Sequence, residues 1–374
     1  MRLIVLFTSL LLLHVGILAK ESLYLHLPSP LPTNSASTTS YGDNLLNLID
    51  GAKKEISFAI YGIRGQNDIV QALLAAQKRG VKIKGVVDSD SHGKNYYCDT
   101  HLLHQHFDVV SDGKSYIMHH KFFIIDQNVL WTGSSNISDT GTGGYNSNGV
   151  IVSEDRAIIA LYQQEFNQMR NGKFGIWKEE ISKGGIKTKN SKAWVYFSPK
   201  SNTYEKGIKP LIQKATSYIY IPIFYLTHKP LAKELEKAYK KGVDIRIILD
   251  ASAARNPYSI HEWLRQKGIH VKVENFGGKM HNKSMIVDDR FIVGGSMNFT
   301  IAGNSKNDEN TLILENVALA KKYKAYFLAL WDGIPDAYLH YNPSPESLKS
   351  GNSCWDGIDN DFDGKVDKED SGCW

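Results

Sequence analysis

The sequence predicts an α/β protein built from two similar domains, related by a pseudo-two-fold axis and sharing one cleft. Three observations predict it. One constellation is written twice, as His119, Lys121, Asp126, Gly133, Ser134 and Asn136 and again, 162 residues further on, as His281, Lys283, Asp288, Gly295, Ser296 and Asn298. A wider β-α-β pattern repeats around both copies. Neither copy alone supplies both a nucleophile and an acid, so two halves that act on one bond must face each other.

The elements follow in order. The chain of 374 residues has room for two compact units and extensions. Met1 and Arg2, an apolar run over 3–18 broken by Thr8, Ser9 and His14, and the small Ala19 read as an export signal over 1–19. Ile17 makes the cleavage motif imperfect. Cleavage would send the protein to the periplasm or outside the cell, and a retained signal would anchor it to the membrane.

The first domain is expected over 36–171. Residues 52–61 read as a helix end running into an apolar strand, and 73–88 as a helix closed by Gly80 and followed by a β-branched strand. A further apolar strand, 117–125, carries His119 and Lys121. The segment 172–192, rich in Lys, Gly and Ser, reads as a surface connection. The second domain, 193–336, repeats the order: residues 214–225 answer 52–61, residues 232–250 answer 73–88 with Gly242 in the place of Gly80, and the strand 271–287 carries His281 and Lys283.

Side chains at i and i+2 of a strand share a face, so His119 and Lys121 point together, as do His281 and Lys283, with His120 turned to the opposite face. Imidazoles can attack phosphorus and protonate a leaving oxygen, and ammonium and amide groups can hold anionic oxygens. Breaking a phosphodiester without a metal calls for those groups. The Gly-Ser-x-Asn that follows the next strand would bring Ser134 and Asn136, and Ser296 and Asn298, back to the same phosphate. A single HxKxxxxD string occurs by chance in many surface segments, but two copies with one spacing and one tail are specific.

These residues resemble the phospholipase D superfamily, whose members carry two such HKD motifs at one active site. The resemblance covers residues from about 40 to about 335. It implies an α/β/α sandwich in each half, a monomer with two internal repeats, and no cofactor for catalysis. It also implies a two-step displacement: one neutral imidazole attacks to give a phosphohistidine, the other protonates the leaving oxygen, and water reverses the roles. Lys121, Lys283, Asn136 and Asn298 would stabilise the equatorial oxygens. Asp126 and Asp288 belong to the motif but are implied to support the site without touching phosphate.

Glu309 is a better partner for an imidazole N–H, because a carboxylate fixes the tautomer and stabilises imidazolium. Counting eleven residues from Asn136, as from Asn298 to Glu309, gives Ser147, so the two histidines should differ. If support crosses between halves, as in phospholipases of the family, Glu309 orients His119 as nucleophile and leaves His281 as acid. If it stays within a half, the roles reverse.

The remaining signals are weaker. His101, His104 and His106 match no metal-ligand spacing and read as surface or loop residues. His228, and Arg64 with Tyr61 at the matching place in the first half, could line the cleft. Cys354 and Cys373 bracket a short acidic segment and are expected to pair, leaving Cys98 as a buried thiol or an intermolecular link. Within that tail, 354–373, Asp359, Asp361, Asp363, Asp367 and Asp370 stand at positions 1, 3, 5, 9 and 12 with Gly364 at 6, as in an EF-hand-type calcium loop closed by Asp in place of Glu. The pattern resembles short repeats at the ends of exported bacterial proteins, where a structural calcium and a disulfide would order the peptide. The other reading is a disordered acidic tail.

A net charge of +5, from 44 basic and 39 acidic side chains, suits a phospholipid surface or a nucleic acid equally. Hydrolysis of a phospholipid headgroup, with peripheral contact at the membrane, is the first expectation. The alternative is a metal-independent endonuclease of the same superfamily acting on DNA or RNA, which the segment 298–310 resembles. A non-catalytic binding module is the third reading, and two intact motifs argue against it.

Overall fold

The computed structural model describes residues 20–32, 36–91, 96–113 and 116–374, so the expected export signal, 1–19, lies outside the described residues. The first half forms a sheet of seven strands: β1 (Glu21–His26), β2 (Glu55–Ile60), β3 (Lys82–Val87), β4 (Asp108–Ser111), β5 (Lys121–Ile125), β6 (Val129–Gly133) and β7 (Asn148–Ser153), in the order β1-β7-β6-β5-β2-β3-β4. The second half forms a sheet of eight: β8 (Lys183–Lys187), β9 (Lys192–Ser198), β10 (Tyr218–Ile223), β11 (Asp244–Leu249), β12 (His270–Val273), β13 (Met285–Val287), β14 (Phe291–Gly295) and β15 (Glu309–Glu315), in the order β8-β9-β15-β14-β13-β10-β11-β12. In both, three strands run parallel and the two that follow the HxK residues return antiparallel. The repeat is therefore one of topology as well as of sequence.

Local signals account for the ends of the helices. Helix α1 (Ser40–Gly51) is capped by the Thr39 hydroxyl, which accepts the Gly42 amide. Helix α2 (Asn67–Lys78) is closed by Gly80 at φ 91°, and in the second half Gly242 at φ 92° follows the matching helix. Two longer helices, α3 (Arg156–Arg170) and α4 (Val317–Gly333), lie between the sheets. There Phe122, Tyr162 and Phe166 of the first half pack into one core with Leu312, Tyr323 and Phe327 of the second. Helices α1 and α2 cover the outer face of the first sheet, and a second apolar layer covers the outer face of the other. Each half is thus an α/β/α sandwich, and burial of the shared inner layer fixes the two halves against each other.

Four boundaries differ from the sequence reading. The first sheet begins before residue 36, because β1 pairs antiparallel with β7 in the place that β9 takes against β15. The connection 172–192 contains the edge strand β8. The expected strand 271–287 is two strands, β12 and β13, joined by a loop that carries His281 and Lys283, and β5 starts at Lys121, so His119 precedes it. Functional side chains here stand where strands begin, at the edge of a cleft. No helix among the described residues is long and apolar enough to cross a membrane.

Candidate active site

The two HxK segments cross from one half to the other. The His119 amide donates to the carbonyl of Asp308 at 2.9 Å, and the Asp308 amide donates to Ile117 at 3.0 Å. The second copy mirrors this: His281 donates to Ser147 at 3.0 Å, and Ser147 to Lys279 at 2.9 Å. Just ahead of each histidine a carboxylate at the end of a parallel strand holds the chain. Asp88 accepts the Met118 amide at 2.6 Å, and Asp250 accepts that of Met280 at 3.0 Å. Each histidine is therefore fixed against the start of the opposite half's last strand.

The side chains complete the crossing. His119 Nδ1 donates to Glu309 at 2.9 and 3.0 Å, and Ser296 Oγ donates to Glu309 Oε2 at 2.6 Å. His281 Nδ1 donates to Asn148 Oδ1 at 3.1 Å, and Ser134 Oγ donates to the same oxygen at 2.8 Å. With Nδ1 engaged as a donor, Nε2 is the basic nitrogen of each ring. Asn148, not Ser147, is the counterpart of Glu309, because the loop after Asn136 is one residue longer than that after Asn298. Ser147 is instead the counterpart of Asp308.

Lys121 and Lys283 are 0% and 1% exposed, and each donates to the carbonyl of its own motif histidine, at 2.7 and 2.8 Å. Tyr61 stands 5.8 Å from the His119 ring and Phe224 stands 5.2 Å from that of His281. Burial pushes the Lys121 ammonium down to about 7 against the pull of Glu309 and Asp88. Burial and the nearby Lys121 hold Lys283 well below the ordinary lysine range. His119 is lowered to about 4 by burial, with Glu309 opposing, and burial and both lysines hold His281 well below the ordinary histidine value. Burial works against the Glu309 carboxylate, but His119, Lys121 and Ser296 outweigh it and keep Glu309 ionised. The cleft is electrostatically built for one more negative charge, which a bound phosphodiester carries.

Other expected site residues fall elsewhere. Asp126 accepts the amides of Lys53, Lys54 and Glu55 at 2.7–2.9 Å, and Asp288 those of Thr216, Ser217 and Tyr218 at 2.8–2.9 Å. Both lie past the far ends of β5 and β13, where they tie the chain entering the sheet, and neither joins the histidines. Ser134 and Ser296, expected to meet the phosphate, direct their hydroxyl protons to Asn148 and Glu309. Asn136 Nδ2 donates to Tyr97 at 2.6 Å while its buried Oδ1 has no partner among the described residues, and Asn298 Oδ1 accepts the Tyr225 amide at 3.3 Å.

His120 points away from the cleft, into the core, as alternation predicts. His228 caps the helix Lys229–Lys240 and packs 4.4 Å from the Tyr204 ring. Arg64 pairs with Asp139 at 3.2 Å beneath Tyr96. His101, His104 and His106 lie on the helix Thr100–His106. Cys98 is an exposed free thiol, which removes the buried one of its two readings. Sequence reasoning missed Asn148, Phe224, Asp88 and Asp250. The last two were findable, since they too are 162 residues apart.

The tail is ordered and docked. Cys354 and Cys373 form a disulfide. Asn360 Nδ2 donates to Gly277 O at 2.9 Å, Lys279 Nζ donates to Asn360 O at 3.0 Å, and Tyr145 bonds Asp356, so the tail rests on the segment that leads into His281. The carboxylates of Asp359, Asp361 and Asp363 converge within 4.8 Å, as do those of Glu346, Asp361 and Asp370. Asp367 leaves the expected set, because it accepts the amides of Asp356 and Gly357.

A family model described as "Cardiolipin synthase, PLD-like domain" matches residues 45–170 and 208–331, one half each. The phospholipase D of Rickettsia prowazekii (strain Madrid E) is 31% identical over 176 residues, which is 47% of this chain and 82% of that protein. The mitochondrial cardiolipin hydrolase of Chlamydomonas reinhardtii is 32% identical over 118 residues, 32% of this chain and 53% of that protein. In fold, phosphatidylserine synthase from Haemophilus influenzae Rd KW20 is similar at a TM-score of 0.61 and 15% identity, over 84% of this chain and 91% of that one. With both family segments matched and the two histidines facing across the join between them, the chain belongs to the phospholipase D superfamily and is a phosphodiesterase of that family's type.

Proposed function

We propose that this protein is an exported phospholipase D that hydrolyses the bond between a phospholipid and its headgroup as a monomer, through a phosphohistidine and without a catalytic metal. The observation that carries the reading is the crossed pair His119–Glu309, an imidazole held in one tautomer by a buried carboxylate of the opposite half. Neutral His119 Nε2 attacks phosphorus as the bond to the headgroup oxygen breaks, and that oxygen takes the proton of His281. Water then attacks phosphorus, gives a proton to His281 and releases His119. Lys121, Lys283, Asn136 and Asn298 hold the equatorial oxygens. The phosphate charge raises the lowered His281 and lets it serve as the acid.

The named activities of the two relatives support phospholipid as the substrate. Peripheral contact with a phospholipid surface is supported by Ile176 and Trp177, 66% and 70% exposed, in a turn whose Gly175 amide donates to Asp308 beside Glu309. The Cys354–Cys373 disulfide favours an oxidising compartment, in keeping with export. We also read the tail as a structural calcium site centred on Asp359, Asp361 and Asp363. A rise in melting temperature with calcium, reversed by EDTA, tests it.

The test of function compares, in EDTA, headgroup release from phosphatidylcholine or phosphatidylethanolamine vesicles with cleavage of single- and double-stranded DNA, using wild type beside His119→Ala. Lipid turnover lost in the variant supports the reading. His119-dependent cleavage of DNA alone would make the protein a nuclease.

A further inference from the structure

We propose that Lys178, in the segment that joins the two halves, is a positioning residue for the His119–Glu309 pair, acting as the counter-ion that fixes Asp308 and Glu165 behind it. The inference rests on the reading that His119 and Glu309 act together. Lys178 is 3% exposed, ion-paired with Glu165 and with Asp308 Oδ1 at 2.7 Å, and it donates to Ser198 O at 2.9 Å. Sequence reading placed it on a surface connection. Burial works against its ammonium, but Glu165 and Asp308 outweigh that and hold it above the ordinary lysine value.

Both chain neighbours of the catalytic pair end on this network. Asp308, immediately before Glu309, holds the His119 amide with its carbonyl, while its carboxylate takes Lys178 and the Gly175 amide. His120, immediately after His119, bonds Glu165 through Nε2 at 3.1 Å and Asn310 through Nδ1 at 3.3 Å. Glu165 and Asp308 are 0% and 3% exposed, and buried carboxylates without a cation are costly. Around His281 the described residues solve the same problem without charge. There Ser147 and Asn282 stand for Asp308 and His120, and they bond each other at 2.8 Å, with Tyr326 at 2.6 Å from Ser147 and Tyr323 at 2.7 Å from Asn282. Among the described residues, the ionic brace stands behind the carboxylate-supported histidine alone.

The test measures turnover of bis(p-nitrophenyl) phosphate, a soluble diester that needs no lipid surface, across pH with the full chain. Lys178→Met is expected to lower kcat by about tenfold or more with KM within about threefold, because small misplacement of a catalytic pair is expensive in rate. The acidic limb should move to higher pH, since uncompensated negative charge raises the His119 pKa. Lys178→Met/Glu165→Gln, which removes cation and anion together, should regain most of kcat and the original limb. A folded Lys178→Met with wild-type kcat and pH profile would overturn the proposal. If that variant does not fold, the double variant decides: near-wild-type turnover supports the counter-ion role, and persistent slow turnover in a folded double variant overturns it. His119→Ala runs in the same assay, and turnover surviving there would show that the reading of the site itself had failed.

Discussion

The two halves share topology and motif but support their histidines differently. His119 rests on a buried carboxylate, Glu309, whereas His281 rests on an amide, Asn148. A carboxylate stabilises the cationic, phosphorylated form of a nucleophilic imidazole, and an amide leaves an acid free to give its proton away. The sequence repeat is therefore a repeat of geometry, and under the proposed mechanism the division of labour lies in one pair of residues outside the motif.

The comparison breaks most visibly at the histidines. His119→Ala and His281→Ala should each lower headgroup release by about ten thousandfold or more. A p-nitrophenol leaving group needs no acid, so the first chemical step should recover in His281→Ala and not in His119→Ala, as a burst of p-nitrophenol would reveal. Equal behaviour of the two variants would erase the difference between the halves.

The supports come next. Glu309→Gln should cost about a hundredfold or more in kcat. Asn148→Asp should cost less than about tenfold, and the pH profile's alkaline limb should move upward, because a carboxylate beside His281 raises its pKa. A larger loss in Asn148→Asp than in Glu309→Gln would reverse the assignment.

A smaller effect tests the shared electrostatics. Lys121 is lowered to about 7 in the free cleft, and a bound anion raises it, so vanadate or phosphate binding above that pH should take up protons. Calorimetry in two buffers of different ionisation enthalpy reads the sign, and proton release would contradict the description of the cleft. The smallest effect belongs to the motif aspartates. Asp126→Asn and Asp288→Asn should lower the melting temperature by about 3 °C with kcat held within about twofold.

That last expectation shows where sequence stops being legible. His119, Lys121, His281 and Lys283 could be read as a site because imidazole and ammonium at one spacing, twice, have a chemical purpose. Asp126 and Asp288 share the spacing for another reason: both sit at positive φ and gather three backbone amides, so the sheet demands them. Asn148 was hidden by a one-residue difference in loop length, which shifts a count but not a hydrogen bond. Strand β1 lay ahead of the recognisable repeat and is held by pairing with β7, a contact no local pattern announces. Lys178 looked solvated among lysines and glycines, because its two carboxylate partners lie outside that segment, on the helix before it and in the second half.

The most direct measurement traps the covalent intermediate. His281→Asn, given a p-nitrophenyl phosphodiester and quenched in base, should carry the phosphoryl adduct on the peptide that contains His119, because the leaving group departs unaided while water lacks its base. An adduct on any other residue, or none in a variant that still releases p-nitrophenol, would contradict the assignment of His119 as the nucleophile.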